Sequence, residues 1–244
     1  MAARCGAELA SREASLDALL VERGAELAYV VGREVEWLYG PGRARLVVHR
    51  GMLDSRRDAG AIHPLVRALV PAGERPLTRV LDATLGLAQD AIHLADVLGV
   101  RIVGVEVSPA LASLAEAGLA RELTRGLEAA GRIEVVCGDA AEVLAALPGA
   151  SVDVVYVDEM FARPRRSAPG FALLRRVAGH APLGARFWEE AKRVAARRVV
   201  VKLPRDAVDP AAFAFDEVVI GQAMAYGIHH TGERSLAFAP AAKA

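Results

Sequence analysis

The sequence predicts an α/β protein: a doubly wound, mostly parallel sheet with a C-terminal β-hairpin in residues 71–244, preceded by a small N-terminal β-rich subdomain with a connecting helix in residues 1–70. Three observations predict it. From Val80 onward, β-like runs alternate with helix-like runs long enough for crossover connections, the pattern of parallel strands. Ahead of them lie short β-like runs with a Gly/Pro turn, the pattern of an antiparallel appendage. Between the two regimes, Pro71, Gly73 and Pro76 break the chain.

The elements follow in order. Leu27 to Val31, Val35 to Tyr39 and Arg45 to His49 read as the strands of the subdomain, with Gly40-Pro41-Gly42 turning the chain between the last two. The apolar spacing of Ile62 to Val70 gives the connecting helix. The alternation then runs β from Val80 to Ala83, helix from Gln89 to Leu98, β from Arg101 to Val107 and helix from Pro109 to Arg125. It continues as β from Ile133 to Cys137, helix from Ala140 to Leu147, β from Val152 to Val157, helix from Gly184 to Ala196 and β from Arg198 to Leu203. Glu217 to Ile220 and Leu236 to Ala239, on either side of the polar stretch His229-His230-Thr231-Gly232, are expected to form the closing hairpin.

Composition removes several function classes. With 244 residues, 53 % hydrophobic and 25 % charged, the chain is neither disordered, collagen-like nor a disulfide scaffold. No apolar run approaches the ~18 residues of a membrane span. Arg4, Glu8, Arg12, Glu13 and Asp17 interrupt the alanine-rich start, unlike a secretory signal, so a cytoplasmic protein is expected. Cys5 and Cys137 form neither a disulfide framework nor a zinc site. His229 and His230 are adjacent on a strand and face opposite sides, and His93 lies in a helical apolar pattern, so no metal is expected.

The zero net charge hides a partition. From Asp82 to Glu159 thirteen acidic residues face four basic ones, a net of −9. From Phe161 to Arg205 twelve basic residues face two acidic ones, a net of +10. Such an asymmetry suits an anion-binding surface in the second segment, with solvated helix faces as the alternative.

In an open parallel sheet, ligands bind beyond the carboxyl ends of the strands, near the point where strand order reverses. The first such turn, Asp82-Ala83-Thr84-Leu85-Gly86-Leu87-Ala88-Gln89-Asp90, has one central glycine, Gly86, and acidic residues at both ends. It lacks the three glycines that bring a pyrophosphate onto backbone amides, and Asp82 would repel phosphate but suits an ammonium group. The next strand ends at Glu106, placed to accept two ribose hydroxyls, with Ser108-Pro109 as N-cap and first helical residue behind it. The third ends at Cys137-Gly138-Asp139-Ala140, where a carboxylate or amide can read an adenine edge, although a strand-end Asp also serves as a helix cap. In this order the three elements describe S-adenosylmethionine (SAM) and disfavour a nicotinamide cofactor.

Val80 to Asp90, Val105-Glu106 with Ser108-Pro109, Asp153 to Asp158 followed by Met160-Phe161, and Val199 to Pro204 together resemble the small-subunit ribosomal RNA guanine-N2 methyltransferases of the J type. They are also similar to bacterial relatives that share the Asp-Ala-Thr-Leu-Gly-Leu turn. The resemblance covers roughly Arg45 to Pro204, with a weaker match from Leu46 to Arg57. It implies a Rossmann-like class I SAM-dependent methyltransferase with a small N-terminal subdomain, acting on small-subunit ribosomal RNA. It also implies SAM contacts at Gln89, Asp90, Glu106, Val107, Asp139, Ala140 and Asp158.

At the reacting end, Asp158-Glu159-Met160-Phe161 stands where amino-methylating members of the fold carry Asp or Asn, proline, a variable residue and an aromatic. An exocyclic amine has a delocalised lone pair, so acceptors that bind its hydrogens turn that pair toward the methyl donor. Asp158 is expected to be one acceptor, a neighbouring backbone carbonyl the second, and Phe161 a stacking face for the base. Glu159 replaces the family proline, and Arg56-Arg57-Asp58-Ala59-Gly60-Ala61 replaces a glycine-rich stretch. Arg163, Arg165 and Arg166, with Lys202 at the end of the fifth strand, are expected to contact RNA. Arg56 and Arg57 would join them from the N-terminal side. A noncatalytic SAM- or RNA-binding relative and a small-molecule or protein methyltransferase are the alternatives.

Overall fold

The structure, a computed structural model, describes residues 7–11, 14–158, 169–178, 183–205 and 215–232. It opens with helix α1 (Leu16–Arg23), capped by the Ser15 hydroxyl and stopped by left-handed Gly24. Strands β1 (Ala28–Val31), β2 (Glu36–Gly40) and β3 (Ala44–Leu46) then form an antiparallel meander in the order β1-β2-β3. Helices α2 (Gly51–Arg57) and α3 (Pro64–Leu69) lead to the main sheet. Pro64 fills the first position of α3, where its missing N–H costs nothing.

The main sheet contains β4 (Arg79–Asp82), β5 (Arg101–Glu106), β6 (Ile133–Cys137), β7 (Val152–Asp158), β8 (Ala195–Pro204), β9 (Glu217–Ile220) and β10 (Met224–His230). Its order is β6-β5-β4-β7-β8-β10-β9. Pairs from β6 to β8 are parallel, and β10 alone is reversed, wedged antiparallel between β8 and β9. The crossovers carry α4 (Gln89–Leu98), α5 (Pro109–Thr124), α6 (Ala140–Ala145), α7 (Pro169–Ala178) and α8 (Ala185–Val194). This is the doubly wound, mostly parallel sheet that the alternation predicts. Strand order reverses between β4 and β7, which puts the ligand crevice at their carboxyl ends.

The inner strands β4, β5, β7 and β8 are largely apolar on both sides because both faces are covered. Along β7, Val154 and Tyr156 enter one core with Leu65, Leu69, Ile92 and Leu111, whereas Val155 and Val157 enter the other with Leu144, Phe187 and Val194. The first core also takes in Leu38, Leu46, Val48 and Leu53, so the subdomain and the sheet bury one continuous apolar interior. Polar clamps reinforce the joint. Arg121 of α5 pairs with Glu36 and donates to the Val48 carbonyl, and Arg57 of α2 forms two hydrogen bonds to Asp96 of α4, each 3.1 Å. Gly118 of α5 leaves no room for a Cβ, because Val48 occupies that space.

Two expectations need correction. The hairpin closes sooner than the apolar tail suggests: β9 pairs with Met224–His230, which holds the His229-His230 pair, while Leu236 to Ala239 lies outside the described residues. A glycine inside β10 weakens its strand signal, yet Gly227 is where the ring of Phe215 rests, in space a Cβ would fill. The third strand of the subdomain also stops at Leu46, freeing Val48 and His49 to contact α5 and the turn after β4.

Candidate active site

The turn after β4 is laid across three strand ends by its own backbone. Ala83 N donates to the Tyr156 carbonyl of β7, Leu85 N to the Val105 carbonyl of β5, and Ala88 N to Leu85. Leu85 lies flat on Gly104, whose missing side chain lets the turn approach β5. Both Gly86 and Ala88 are left-handed, with φ +52° and +57°. For Ala88, wholly buried, that conformation costs on the order of 1 kcal/mol, held by the surrounding bonds.

Two carboxylates hold this turn. Glu106, at the end of β5, is 5 % exposed and accepts from Gly86 N at 2.9 Å through one oxygen and Ser108 N at 2.8 Å through the other. Burial pushes its carboxyl upward, and the two N–H groups oppose that. Fixed in this way, its remaining lone pairs are preorganised for a vicinal diol. Asp82, 2 % exposed, accepts from Thr84 N at 3.0 Å. Burial, added to by the nearby Asp90 and Asp158 charges, pushes its carboxyl up to about 8, against the Thr84 hydrogen bond. A bound cation would draw that proton off. A Cβ built on Gly86 meets only the Thr84 carbonyl, at 3.9 Å, so the space above the glycine is open to a ligand.

On the β5–β6 side, Val107 is exposed and Ala140 is buried at the start of α6. Asp139 is the N-cap of α6: one oxygen accepts from Ala141 N at 2.9 Å and Glu142 N at 3.2 Å. Its carboxylate is thus partly committed to the helix, and its second oxygen has no such tie.

On the β7–β8 side the structure brings together residues far apart in sequence. Asp158 N donates to Thr84 Oγ1 at 2.7 Å, which joins the ends of β7 and β4 across the crevice. Lys202 Nζ donates to Asp158 Oδ2 and to Asp90 Oδ2, both at 2.7 Å. Asp90 also accepts from the Tyr156 hydroxyl at 2.7 Å and from Arg56 Nη1 at 2.5 Å. Burial pushes the Asp90 carboxyl up, but Lys202 and Arg56 outweigh it and hold the group well below the usual carboxylate range. For Asp158 burial prevails over Lys202, with the Asp90 charge adding to it, and its carboxyl is raised.

Asp82, Gly86, Glu106 and Asp158 therefore stand at neighbouring strand ends on the carboxyl side of the sheet, about the switch point, with Val107, Asp139 and Ala140 at the next strand end. Gln89 and Asp90 are turned elsewhere: Gln89 Nε2 donates to the His49 carbonyl at 2.7 Å, and Asp90 is enclosed by Arg56, Tyr156 and Lys202. Lys202 is gripped by two carboxylates. Phe161, Arg163, Arg165 and Arg166, with Glu159, lie outside the described residues. Arg56 and Arg57 are engaged by Asp90 and Asp96. Thr84 and Tyr156 were not singled out by sequence; the resemblance includes both, but no spacing marks them as partners of Asp158 and Asp90. Among the described basic residues of this segment, Arg176, Arg186, Arg193, Arg197, Arg198 and Lys202 each pair with a carboxylate.

Comparison with known proteins agrees with this geometry. A family model described as "Putative SAM-dependent methyltransferase" matches residues 43–219. The chain is 41 % identical over 163 residues to ribosomal RNA small subunit methyltransferase J of Laribacter hongkongensis, covering 64 % of this chain and 57 % of that protein. It is 37 % identical over 182 residues to the Bacillus subtilis protein YpiP, covering 71 % and 69 %. Against the first of these relatives, the match thus spans little more than half the relative's length. The crystal structure of the SAM-dependent methyltransferase NGO1261 from Neisseria gonorrhoeae superposes with a TM-score of 0.68 at 24 % identity, over 93 % of this chain and 97 % of that one, and so has the same fold. With acidic strand ends at the switch point of a seven-stranded sheet and a family model matching residues 43–219, the chain belongs to the SAM-dependent methyltransferase family.

Proposed function

We propose that the protein transfers the methyl group of SAM to an exocyclic amine of guanine in small-subunit ribosomal RNA, and that it does so in the cytoplasm. The observation that carries this reading is Asp158: a carboxylate at the crevice end of β7, with Oδ2 tied to Lys202 and no such tie on Oδ1. The residues of the crevice fit the cofactor. Glu106 would hold the ribose diol, Asp82 the ammonium group, Gly86 the open floor between them, and Val107, Asp139 and Ala140 the adenine side. SAM supplies a sulfonium-activated methyl group when bound.

The protein's own part is orientation. The lone pair of a guanine amine is spread into the ring, so an acceptor that takes one of its hydrogens redirects the pair toward the methyl donor. Asp158 Oδ1 would do this, a backbone carbonyl beside it would take the second hydrogen, and the proton released on transfer would pass to the Asp158 carboxylate. Phe161 would stack on the base. Because the described arginines of the basic segment are largely paired within the fold, phosphate contact falls to Arg163, Arg165 and Arg166. The ribosomal RNA methyltransferases among the relatives support this substrate class. No helix among the described residues is long and apolar enough to cross a membrane, and no cluster among them can hold a metal ion.

Incubation with methyl-labelled SAM and small ribosomal subunits or their RNA, followed by nucleoside analysis, tests the assignment. Label in N2-methylguanosine is the expected result. Absence of label from small-subunit RNA overturns it.

A further inference from the structure

An unbroken line of alternating charge crosses the molecule from the N-terminal subdomain to the crevice. Arg56 of α2 bonds Asp90 of α4, Asp90 bonds Lys202 of β8, and Lys202 bonds Asp158 of β7. Exposure rises only at the end of the line: the side chains of Arg56, Asp90 and Lys202 are 14 %, 9 % and 12 % exposed, whereas that of Asp158 is 35 % exposed. Ion pairs this enclosed are poor sources of stability, because desolvation offsets most of their attraction. Four charged residues arranged with one reaching the crevice therefore call for a different explanation.

Chemistry at Asp158 supplies it. An acceptor for amine hydrogens works only while ionised, yet this carboxyl lies among groups that favour its protonation. Asp82 of β4 and Asp90 of α4 are the nearby carboxyls, and the Tyr156 hydroxyl of β7, Tyr226 of β10 and His63 at the start of α3 border the same cluster. Lys202 is the cation bonded to Asp158. Arg56 is the group that neutralises the other side of Asp90, so the lysine is not drawn away from Asp158 by an uncompensated carboxylate.

We propose that Lys202 is a positioning residue that fixes Asp158 Oδ2 and keeps the carboxylate ionised, and that Arg56 supports it through Asp90, which makes the N-terminal subdomain part of the active-site apparatus. The inference rests on the reading of Asp158 as the amine acceptor and replaces substrate contact as the role of Lys202. With Oδ2 held by Lys202, Oδ1 is the oxygen left for the amine. Asp90 is the link that lets one cation from each of two structural units stabilise a single carboxylate.

The test uses the full chain without cofactor, with ¹³C-labelled aspartate carboxyls, the Asp158 signal being assigned by its loss in Asp158→Asn. In Lys202→Met that signal is expected to titrate at least ~1 pH unit higher, the usual effect of removing an adjacent opposite charge. Methyl transfer should show the matching change: the acid limb of kcat moves up by the same amount, KM for SAM stays within about threefold, and Lys202→Arg restores part of the loss. An unmoved Asp158 titration in Lys202→Met overturns the proposal. If that variant does not fold, Arg56→Gln, at the far end of the line, should move the same signal in the same direction by less, and no movement overturns the proposal equally. Failure of the underlying reading is separate: Asp158→Asn with full activity removes Asp158 from the chemistry whatever its titration shows.

Discussion

The two ends of β7 carry the same pairing and use it differently. At the amino end, Asp153 faces Arg197 of β8, with N–O 2.9 Å; at the carboxyl end, Asp158 faces Lys202 of the same strand at 2.7 Å. Asp153 is the more heavily bonded of the two: Oδ2 takes three hydrogen bonds, and Oδ1 faces the Arg197 guanidinium. It accepts from Thr78 N at 2.7 Å, Thr78 Oγ1 at 2.8 Å and Arg79 N at 3.1 Å, and Arg197 itself donates to the Arg75 and Pro76 carbonyls. Burial pushes the Asp153 carboxyl up, but these donors and Arg197 reverse the shift and hold it low. Asp158 has one cation, keeps a free oxygen, and is raised. One carboxylate is spent on joining strands, and the other is left with an oxygen that the proposed amine substrate would complete. A planar, multiply donating guanidinium suits the first task and a point-like ammonium the second.

The largest expected effect separates the two ends outright. Asp158→Asn should lower single-turnover methyl transfer at saturating SAM and RNA by roughly 100- to 1000-fold, the scale of losing a preorganised electrostatic contact, with little change in the unfolding midpoint. Equal rates for the variant and the wild type would erase the distinction.

Asp153→Asn is expected to do the reverse. It should cost about 2–4 kcal/mol in denaturant unfolding, since the Arg197 pair and a strand junction are lost, while the transfer rate of the folded protein is unchanged. The pH dependence has a definite sign. A carboxyl lowered in the folded state contributes stability above its unfolded pKa of about 3.9 and loses it as pH falls through the folded value, so Asp153→Asn should remove part of the acid lability.

The smallest effect sharpens the contrast at the crevice end. Asp82, raised to about 8, binds a proton more tightly folded than unfolded, so its contribution is complete below about pH 4 and disappears as pH rises through about 8. Between pH 6 and pH 8, the cofactor-free protein should lose about 2 kcal/mol of stability through this group, and Asp82→Asn should flatten that slope in urea titrations. An unchanged slope would show that Asp82 is ionised without a ligand.

The parallel half of the fold was legible because its inner strands are buried on both faces and read as near-continuous runs of Val, Ile and Leu. Starts for α4 and α5 at Gln89 and Pro109 agree with the sequence reading, the latter fixed by the Ser108-Pro109 cap. Glu106 was legible too, because a strand end dictates where its side chain goes. Helices α2 and α7 were not: Gly51–Arg57 is short and Arg-rich, and its place is set by Arg56 and Arg57 reaching Asp90 and Asp96, contacts that no local pattern encodes. Lys202 shows the same limit. A lysine at a strand end is visible in sequence, but whether its charge meets substrate or two carboxylates depends on α4 and β7 folding against it.

The reversed strand β10 has a consequence for how the protein is made. It lies between β8 and β9, so β8 remains an open edge until residues 224–230 have left the ribosome. Lys202 pairs across that boundary with Tyr226, and its acidic partners come from residues 90 and 158. A nascent chain can thus assemble the parallel strands β4 to β8 early, through short-range crossovers, while the outer edge of β8 waits for residues 224–230. Products truncated before residue 224 would carry the parallel strands with β8 still an open edge beside Lys202.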